Sequence, residues 1–225
     1  MIGDRLVITE YHRRGARRIL DTLSGPLRSS DACVAVTVAG ESGSGKSEIA
    51  QCLAELLGAE GHESFVLAQD DYFRLPPRSN HERRKKGLDW VGTDEVRLDL
   101  LDRHVALLKQ RTGETFEKPL VDFAANRIGI ETARPPAALS VVIAEGTYTT
   151  LLAHADLRVF IDRTYRQNRA NRLKRARDPD PEFLESVLAI EHEIIAQHRT
   201  RADIVLPAPE EELGMAEPTD DAAQA

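Results

Sequence analysis

Eight consecutive residues constrain this chain more than any others: Gly40-Glu41-Ser42-Gly43-Ser44-Gly45-Lys46-Ser47. They fit the pattern G-x-x-x-x-G-K-[ST], follow the apolar β-branched run Cys33 to Ala39, and open an apolar helical pattern from Lys46 to about Leu57. A strand that turns through glycines into a helix aims several backbone N–H groups and a helix N-terminus at one point, which suits phosphate oxygens. In such a loop Gly40, Glu41, Ser42, Gly43, Ser44 and Gly45 cradle the phosphates, Lys46 reaches the β and γ positions, and the Ser47 hydroxyl ligates Mg2+.

The same strand-then-helix order recurs along the chain. Glu10 to Leu27 predicts an amphipathic helix, Ser64 to Ala68 a strand, and Asp94 to Arg111 a helix capped by Thr93. Thr115 to Val121 and Ile128 to Thr132 predict a hairpin with Pro119 at an edge. Short apolar runs at Val141 to Ala144, Leu157 to Ile161 and Ile204 to Leu206 predict buried strands, with helices over Tyr165 to Arg175 and Pro181 to His198 between the last two. The expectation is an α/β fold: a parallel sheet with helices on both faces and its ligands beyond the carboxyl ends of the strands.

Charge excludes several function classes. The net charge is −7. Much of it belongs to Glu210, Glu211, Glu212, Glu217, Asp220 and Asp221, which share an end segment, 207–225, with no Lys or Arg. That segment predicts an acidic disordered tail on a nearly neutral body spanning residues 1–206. A near-neutral body without an aromatic RNA-binding signature predicts no nucleic-acid partner. No apolar run is long enough to span a membrane, and the start MIGDRLVITEYHRR is charged where a secretion signal is apolar, so the expected location is the cytoplasm. Cys33 and Cys52 fall in a strand-like and a helix-like run and read as buried thiols.

Two acidic positions stand where chemistry is expected. Gln69-Asp70-Asp71-Tyr72-Phe73 follows the Ser64–Ala68 strand, and a carboxylate there can take the proton of a hydroxyl that attacks a γ-phosphate. Glu145 ends the Val141–Ala144 run, where a carboxylate can hold Mg2+ directly or through water. Arg163, Arg166, Arg169, Arg172, Lys174, Arg175 and Arg177 form an acid-free basic run that needs an anion or solvent beside it. Arg83, Arg84, Lys85 and Lys86, after Pro76-Pro77, read as a basic loop, either solvated or beside a phosphorylated ligand.

In this order and spacing, GESGSGKS (Gly40 to Ser47), QDDYF (Gln69 to Phe73), LDW (Leu88 to Trp90), KPLVDF (Lys118 to Phe123), VVIAEG (Val141 to Gly146) and RLKRARD (Arg172 to Asp178) resemble the uridine kinase and phosphoribulokinase family of phosphate-loop kinases. The resemblance runs from about Ala35 to Leu206. It implies a three-layer fold of the phosphate-loop NTPase type, with a five-stranded parallel sheet and a short lid over about 163–181. It implies ATP and Mg2+ as co-substrates and transfer of the γ-phosphoryl group to a hydroxyl of a small molecule. Asp70 falls at the family's catalytic base, with Lys46 beside the transferred group, and Ser47 and Glu145 at the metal site. The lid arginines Arg169, Arg172, Arg175 and Arg177 would reach ATP; Asp70, Tyr72, Phe73, Asp89, Val121, Asn126 and Arg127 would face the acceptor.

Departures keep the acceptor open. Nucleoside-specific members carry a Tyr and a His against the pyrimidine where this chain has Val121 and Asn126, and their Asp-His-Pro stretch is here Asp89-Trp90-Val91. Uridine or cytidine, a pentose derivative, a pantothenate-like alcohol and an organic acid are all candidate acceptors. A nucleotide-responsive regulator without catalysis is the rival in a different class. A homo-oligomer is left open.

Overall fold

A computed structural model describes residues 6–29, 32–169 and 180–209. At its centre is β1 (Val34–Gly40), whose side chains alternate between two packed faces. Val36 and Val38 point to one side with Val141 and Ile143 of β5 (Leu139–Glu145) and Val159 and Ile161 of β6 (Leu157–Asp162). That face is covered by α1 (Glu10–Ser29) and α2 (Lys46–Ala59), through Ile19, Leu20, Leu23, Ile49, Leu53 and Leu57. Ala35, Val142 and Ala144 point the other way, onto Leu101, Val105 and Leu108 of α4 (Leu98–Lys109). Each sheet face is therefore apolar, as a parallel sheet between two helical layers requires.

The five-stranded parallel sheet runs β2-β5-β1-β6-β7, with β2 spanning Glu63–Ala68 and β7 Ile204–Pro207. Register brings three strand ends level: Val38 pairs with Glu145, and Glu145 with Ala68. The glycine loop, the Gln69–Tyr72 turn and the Glu145-Gly146 corner thus leave the same edge of the sheet. β3 (Phe116–Asp122) and β4 (Arg127–Ala133) form the expected hairpin, and Pro119, opposite Ile130, is two residues from Val121, whose N–H points out of the ladder to Asp71, so the missing N–H of Pro119 falls on the same outward edge. Cys33 and Cys52 are buried free thiols, both pushed up by burial, Cys33 to about 11. Among the described residues no helix is long and apolar enough to cross a membrane.

Three expectations about elements need correction. The basic Arg83–Lys86 run is not a loop but the last turn of α3 (Pro77–Lys86), started by Pro77 in the first turn and ended by Gly87. Its cations sit at the negative end of the helix dipole. The helix expected from Asp94 begins only at Leu98, because Val96 is held extended in a bridge with Phe73 and Arg97 N–H donates to the Tyr72 carbonyl at 2.9 Å. The helix after Pro181, α5 (Pro181–Ile195), tightens into a 3-10 turn over Ala196–Arg201 before His198. Residues 170–179 and 210–225 lie outside the described residues, and with them most of the proposed lid, including Arg172, Arg175 and Arg177, and nearly all of the acidic tail.

Candidate active site

The loop from Gly40 to Ser47 is shaped by close approach. Gly40 has φ +155, and a Cβ there would lie 2.8 Å from Ser44 Oγ and 3.2 Å from the Ile161 carbonyl oxygen. Gly45 has φ +101 and is backed by the His12 ring of α1, which a Cβ would strike at 2.6 Å. Any side chain at either glycine would break the turn. The N-cap of α2 is Gly45, which makes no side-chain cap hydrogen bond, and a helix N-terminus of this kind suits an anion. Lys46 donates to the Glu41 carbonyl at 3.0 Å, and Ser44 N–H donates to the same oxygen at 3.1 Å.

Ser47 Oγ donates to Glu145 Oε1 across 3.1 Å. Glu145 is 7% exposed, and its carboxyl is pushed up to about 7, first by burial and then by the negative charge of Asp70. Lys46 and the Ser47 hydrogen bond pull the other way. Asp70, Lys46 and Ser47 thus all act on Glu145 at the carboxyl edge of the sheet, although 98 residues separate Ser47 from Glu145 in sequence. A hydroxyl and two carboxylates of this kind supply the hard oxygen donors that Mg2+ takes alongside phosphate and water.

Glu41, placed by sequence among the phosphate-contacting residues, turns its side chain away from that task. It is buried, its Oε1 lies 2.7 Å from His192 Nδ1 of α5, and its Oε2 accepts from Tyr165 N–H. Asn168 Nδ2 donates to the Ser42 carbonyl at 3.2 Å, so the segment that leads to Arg169 is fastened to the loop as well. Arg169 itself is exposed.

The residues expected at the acceptor divide. Asp70 is half-buried in the turn after β2, and Asp89 is exposed in a 3-10 turn over Leu88–Trp90. Tyr72 is fully buried, with its hydroxyl 2.8 Å from His104 Nδ1, and Val121 is 1% exposed. Both belong to the interior, because the hairpin packs down on the Gln69–Tyr72 turn: Asp71 Oδ1 accepts from Val121 N–H at 3.0 Å and its Oδ2 faces Lys118 Nζ at 3.4 Å. Phe73 is partly buried against the same core. Asn126, at φ +50 in the hairpin turn, accepts from Arg78 N–H at 2.8 Å and thereby holds the start of α3; Arg127 beside it is exposed.

Sequence reasoning missed a charged cluster between α3 and α5. Arg84 lies 2.7 Å from Glu95 and 3.1 Å from Glu191, and Glu95 also accepts from Gly92 N–H at 2.9 Å and from Asn80. Burial alone would depress the Arg84 guanidinium, but the two carboxylates raise it on balance. Burial pushes the Glu191 carboxyl up, and the charges of Lys46 and Asp70 also reach it. The one local signal was the spacing of Asn80 and Arg84, which share a face once α3 is recognised as a helix.

Comparison with known proteins agrees with this architecture. A uridine kinase of Latilactobacillus sakei subsp. sakei (strain 23K) is 27% identical over 186 residues, covering 77% of this chain and 85% of the relative. Phosphoribulokinase from Rhodobacter spheroides superposes with a TM-score of 0.60 at 13% identity, covering 79% of this chain and 71% of that one. D-glycerate 3-kinase from Cryptococcus neoformans var. grubii gives 0.58 at 15%, over 84% and 90%. These structures share the fold, and the model of the phosphoribulokinase / uridine kinase family matches residues 35–193, most of the sequence. The chain belongs to the phosphoribulokinase / uridine kinase family.

Proposed function

We propose that this protein is an ATP-dependent phosphotransferase that moves the γ-phosphoryl group to a hydroxyl of a small, uncharged sugar or polyol that carries no nucleobase. The carrying observation is the meeting of the phosphate loop and the Glu145 corner at one sheet edge, where Ser47 Oγ donates to Glu145 and Lys46 and Asp70 act on the same carboxyl. Lys46 and the open N-terminus of α2 bind the triphosphate, and Ser47 with Glu145 would hold its Mg2+, which neutralises charge on the phosphates when bound. Asp70 accepts the proton of the attacking hydroxyl. Arg169 and the lid arginines stabilise the charge of the transferring group.

The acceptor class follows from what is already occupied. A pyrimidine would be read at positions 121 and 126, but Val121 is buried and Asn126 is spent on α3. A phosphorylated acceptor would use the basic run, but Arg84 serves Glu95 and Glu191, Arg83 lies over the Trp90 ring at 5.2 Å, and Lys85 faces Asp180 at 3.2 Å. Asp70 and Asp89 suit hydroxyls, which donate to carboxylates. Relatives named for uridine, glycerate and phosphoribulo- substrates frame the test. ADP release with Mg2+ and ATP is measured against uridine, cytidine, free sugars, polyols, sugar phosphates and glycerate. Acceptor-dependent release with a free sugar or polyol supports the reading; release only with pyrimidine nucleosides, sugar phosphates or glycerate defeats the acceptor class, and none with any compound favours a regulator.

A further inference from the structure

Glu191 and His192 are neighbours on α5, yet they serve opposite sides of the site. Successive helical residues point about 100° apart, so adjacent side chains face different neighbours. His192 Nδ1 meets Glu41 of the phosphate loop at 2.7 Å, and its ring stands 5.7 Å from Tyr165, whose N–H donates to that same carboxylate. Glu191 Oε1 meets Arg84 at 3.1 Å; Arg84 holds Glu95, and Glu95 holds Gly92 N–H and Asn80. Asn80 Oδ1 in turn accepts from Trp90 Nε1 at 2.8 Å. Asp89 therefore sits in a turn whose flanking residues, Trp90 and Gly92, are both tied back to Arg84.

We propose that Glu191 and His192 are positioning residues for the two substrates, His192 fixing the phosphate loop through Glu41 and Glu191 fixing the Asp89–Gly92 segment through Arg84. The proposal rests on the phosphotransferase reading only for what the two ends bind. Stability alone is a weak reason for the Arg84 cluster, because removing charges from water costs about as much as their attraction returns, and apolar replacements of buried ion pairs are often neutral or stabilising. Geometry is the better reason: one carboxylate on α5 orients a planar guanidinium whose other contacts are all on the acceptor side.

The chain contains one tryptophan, Trp90, so its emission reports the acceptor-side segment without any turnover. Binding of the non-hydrolysable analogue AMP-PNP with Mg2+, measured by calorimetry, reports the loop. Glu191→Leu is expected to red-shift Trp90 emission and raise its quenching by acrylamide while AMP-PNP affinity stays within about twofold; Glu191→Gln, which still accepts from Arg84, restores the emission. His192→Phe keeps the ring against Tyr165 but loses the bond to Glu41, and is expected to weaken AMP-PNP about tenfold with Trp90 unchanged, as one charge-assisted hydrogen bond implies. His192→Asn, whose amide replaces Nδ1, recovers most of that loss. Two pairs of effects that stay separate support the proposal. It is overturned if Glu191→Leu weakens AMP-PNP as much as His192→Phe, if both variants move Trp90 together, or if the conservative variants rescue nothing. Failure of the phosphotransferase reading is distinct, since it appears in the wild type as missing acceptor-dependent ADP release.

Discussion

On the nucleotide side of Glu145, the groups proposed to bind come from consecutive backbone: a glycine turn, a helix N-terminus without a side-chain cap at Gly45, and one lysine and one serine next to each other. On the acceptor side the proposed groups, Asp70 and Asp89, lie on separate segments, and the Asp89 turn is tied back to side chains gathered from α3, the Gly92–Glu95 turn and α5, with Arg84 and Glu191 107 residues apart in sequence. Phosphate is the same in every nucleotide and can be met by peptide N–H groups, whose geometry a short local pattern fixes. An acceptor has its own shape and hydroxyl pattern, and meeting it takes side chains whose placement depends on how distant elements pack. The nucleotide end is thus a property of a segment, and the acceptor end a property of the fold.

The largest expected effect tests the first half of that contrast. Lys46→Ala removes one charge from the segment and should lower phosphoryl transfer by about 10³-fold or more with little change in melting temperature. A folded variant with unchanged turnover would mean that the loop does not hold the transferred phosphate. Next comes the boundary between the two ends, the Asp70-Asp71 pair. Asp70→Asn should cut the single-turnover rate about 10²-fold at saturating ATP and acceptor while nucleotide binding persists. Asp71→Asn should instead lower stability, because it disturbs the contacts to Val121 N–H and Lys118, and should change the rate less. The reverse ranking would move the base to Asp71.

How far the sequence could be read follows the same division. The order of strands and helices, the hairpin with Pro119 at an edge and the loop from Gly40 to Ser47 rest on periodicity and turn chemistry, which act over a few residues. Helix α3 was missed because its apolar content is too low to show an amphipathic stripe; its buried face is Asn80 and Arg84, polar residues satisfied by Glu95. The delayed start of α4 was hidden for a related reason, since the Phe73–Val96 bridge joins segments that sequence cannot place side by side. Tyr72 shows the limit of family resemblance: a motif aligns the residue, but whether its ring faces the ligand or the core depends on the hairpin packed above it.

A smaller effect sharpens the contrast at Glu145, which belongs to both ends. Burial, and after it the charge of Asp70, pushes its carboxyl up to about 7 from about 4.5 for a free side chain, so the folded state holds the proton more tightly. Below about 4.5 the group is protonated folded or unfolded and contributes nothing. As pH rises through the window from about 4.5 to 7 the unfolded carboxyl gains by ionising while the folded one must keep its proton, and stability falls. Glu145→Gln still accepts from Ser47 but cannot ionise. In nucleotide-free protein the variant should melt with the wild type near pH 4.5 and above it at pH 8, by an amount worth on the order of 1–3 kcal/mol. Parallel melting curves at both pH values would mean that Asp70 and burial do not act on Glu145 as the geometry implies.

The smallest functional effect is expected at Tyr72, one of the residues the family resemblance set facing the acceptor. Tyr72→Phe removes only a hydroxyl, and that hydroxyl is spent on His104 Nδ1 in a fully buried site. With its partner gone, the imidazole keeps a polar atom with no replacement in reach of solvent, and the protein should lose about 1 kcal/mol of stability, read as a lower urea midpoint with an unchanged slope. The Michaelis constants for acceptor and ATP should stay within about twofold of wild type, because the ring still fills its place and the Gln69–Tyr72 turn keeps its backbone contact to Arg97 at 2.9 Å. A tenfold rise in the acceptor constant at unchanged stability would place the hydroxyl on the substrate during turnover, and the acceptor end would then include the residue the motif suggested; loss of stability alone leaves Tyr72 a support for the turn that carries Asp70.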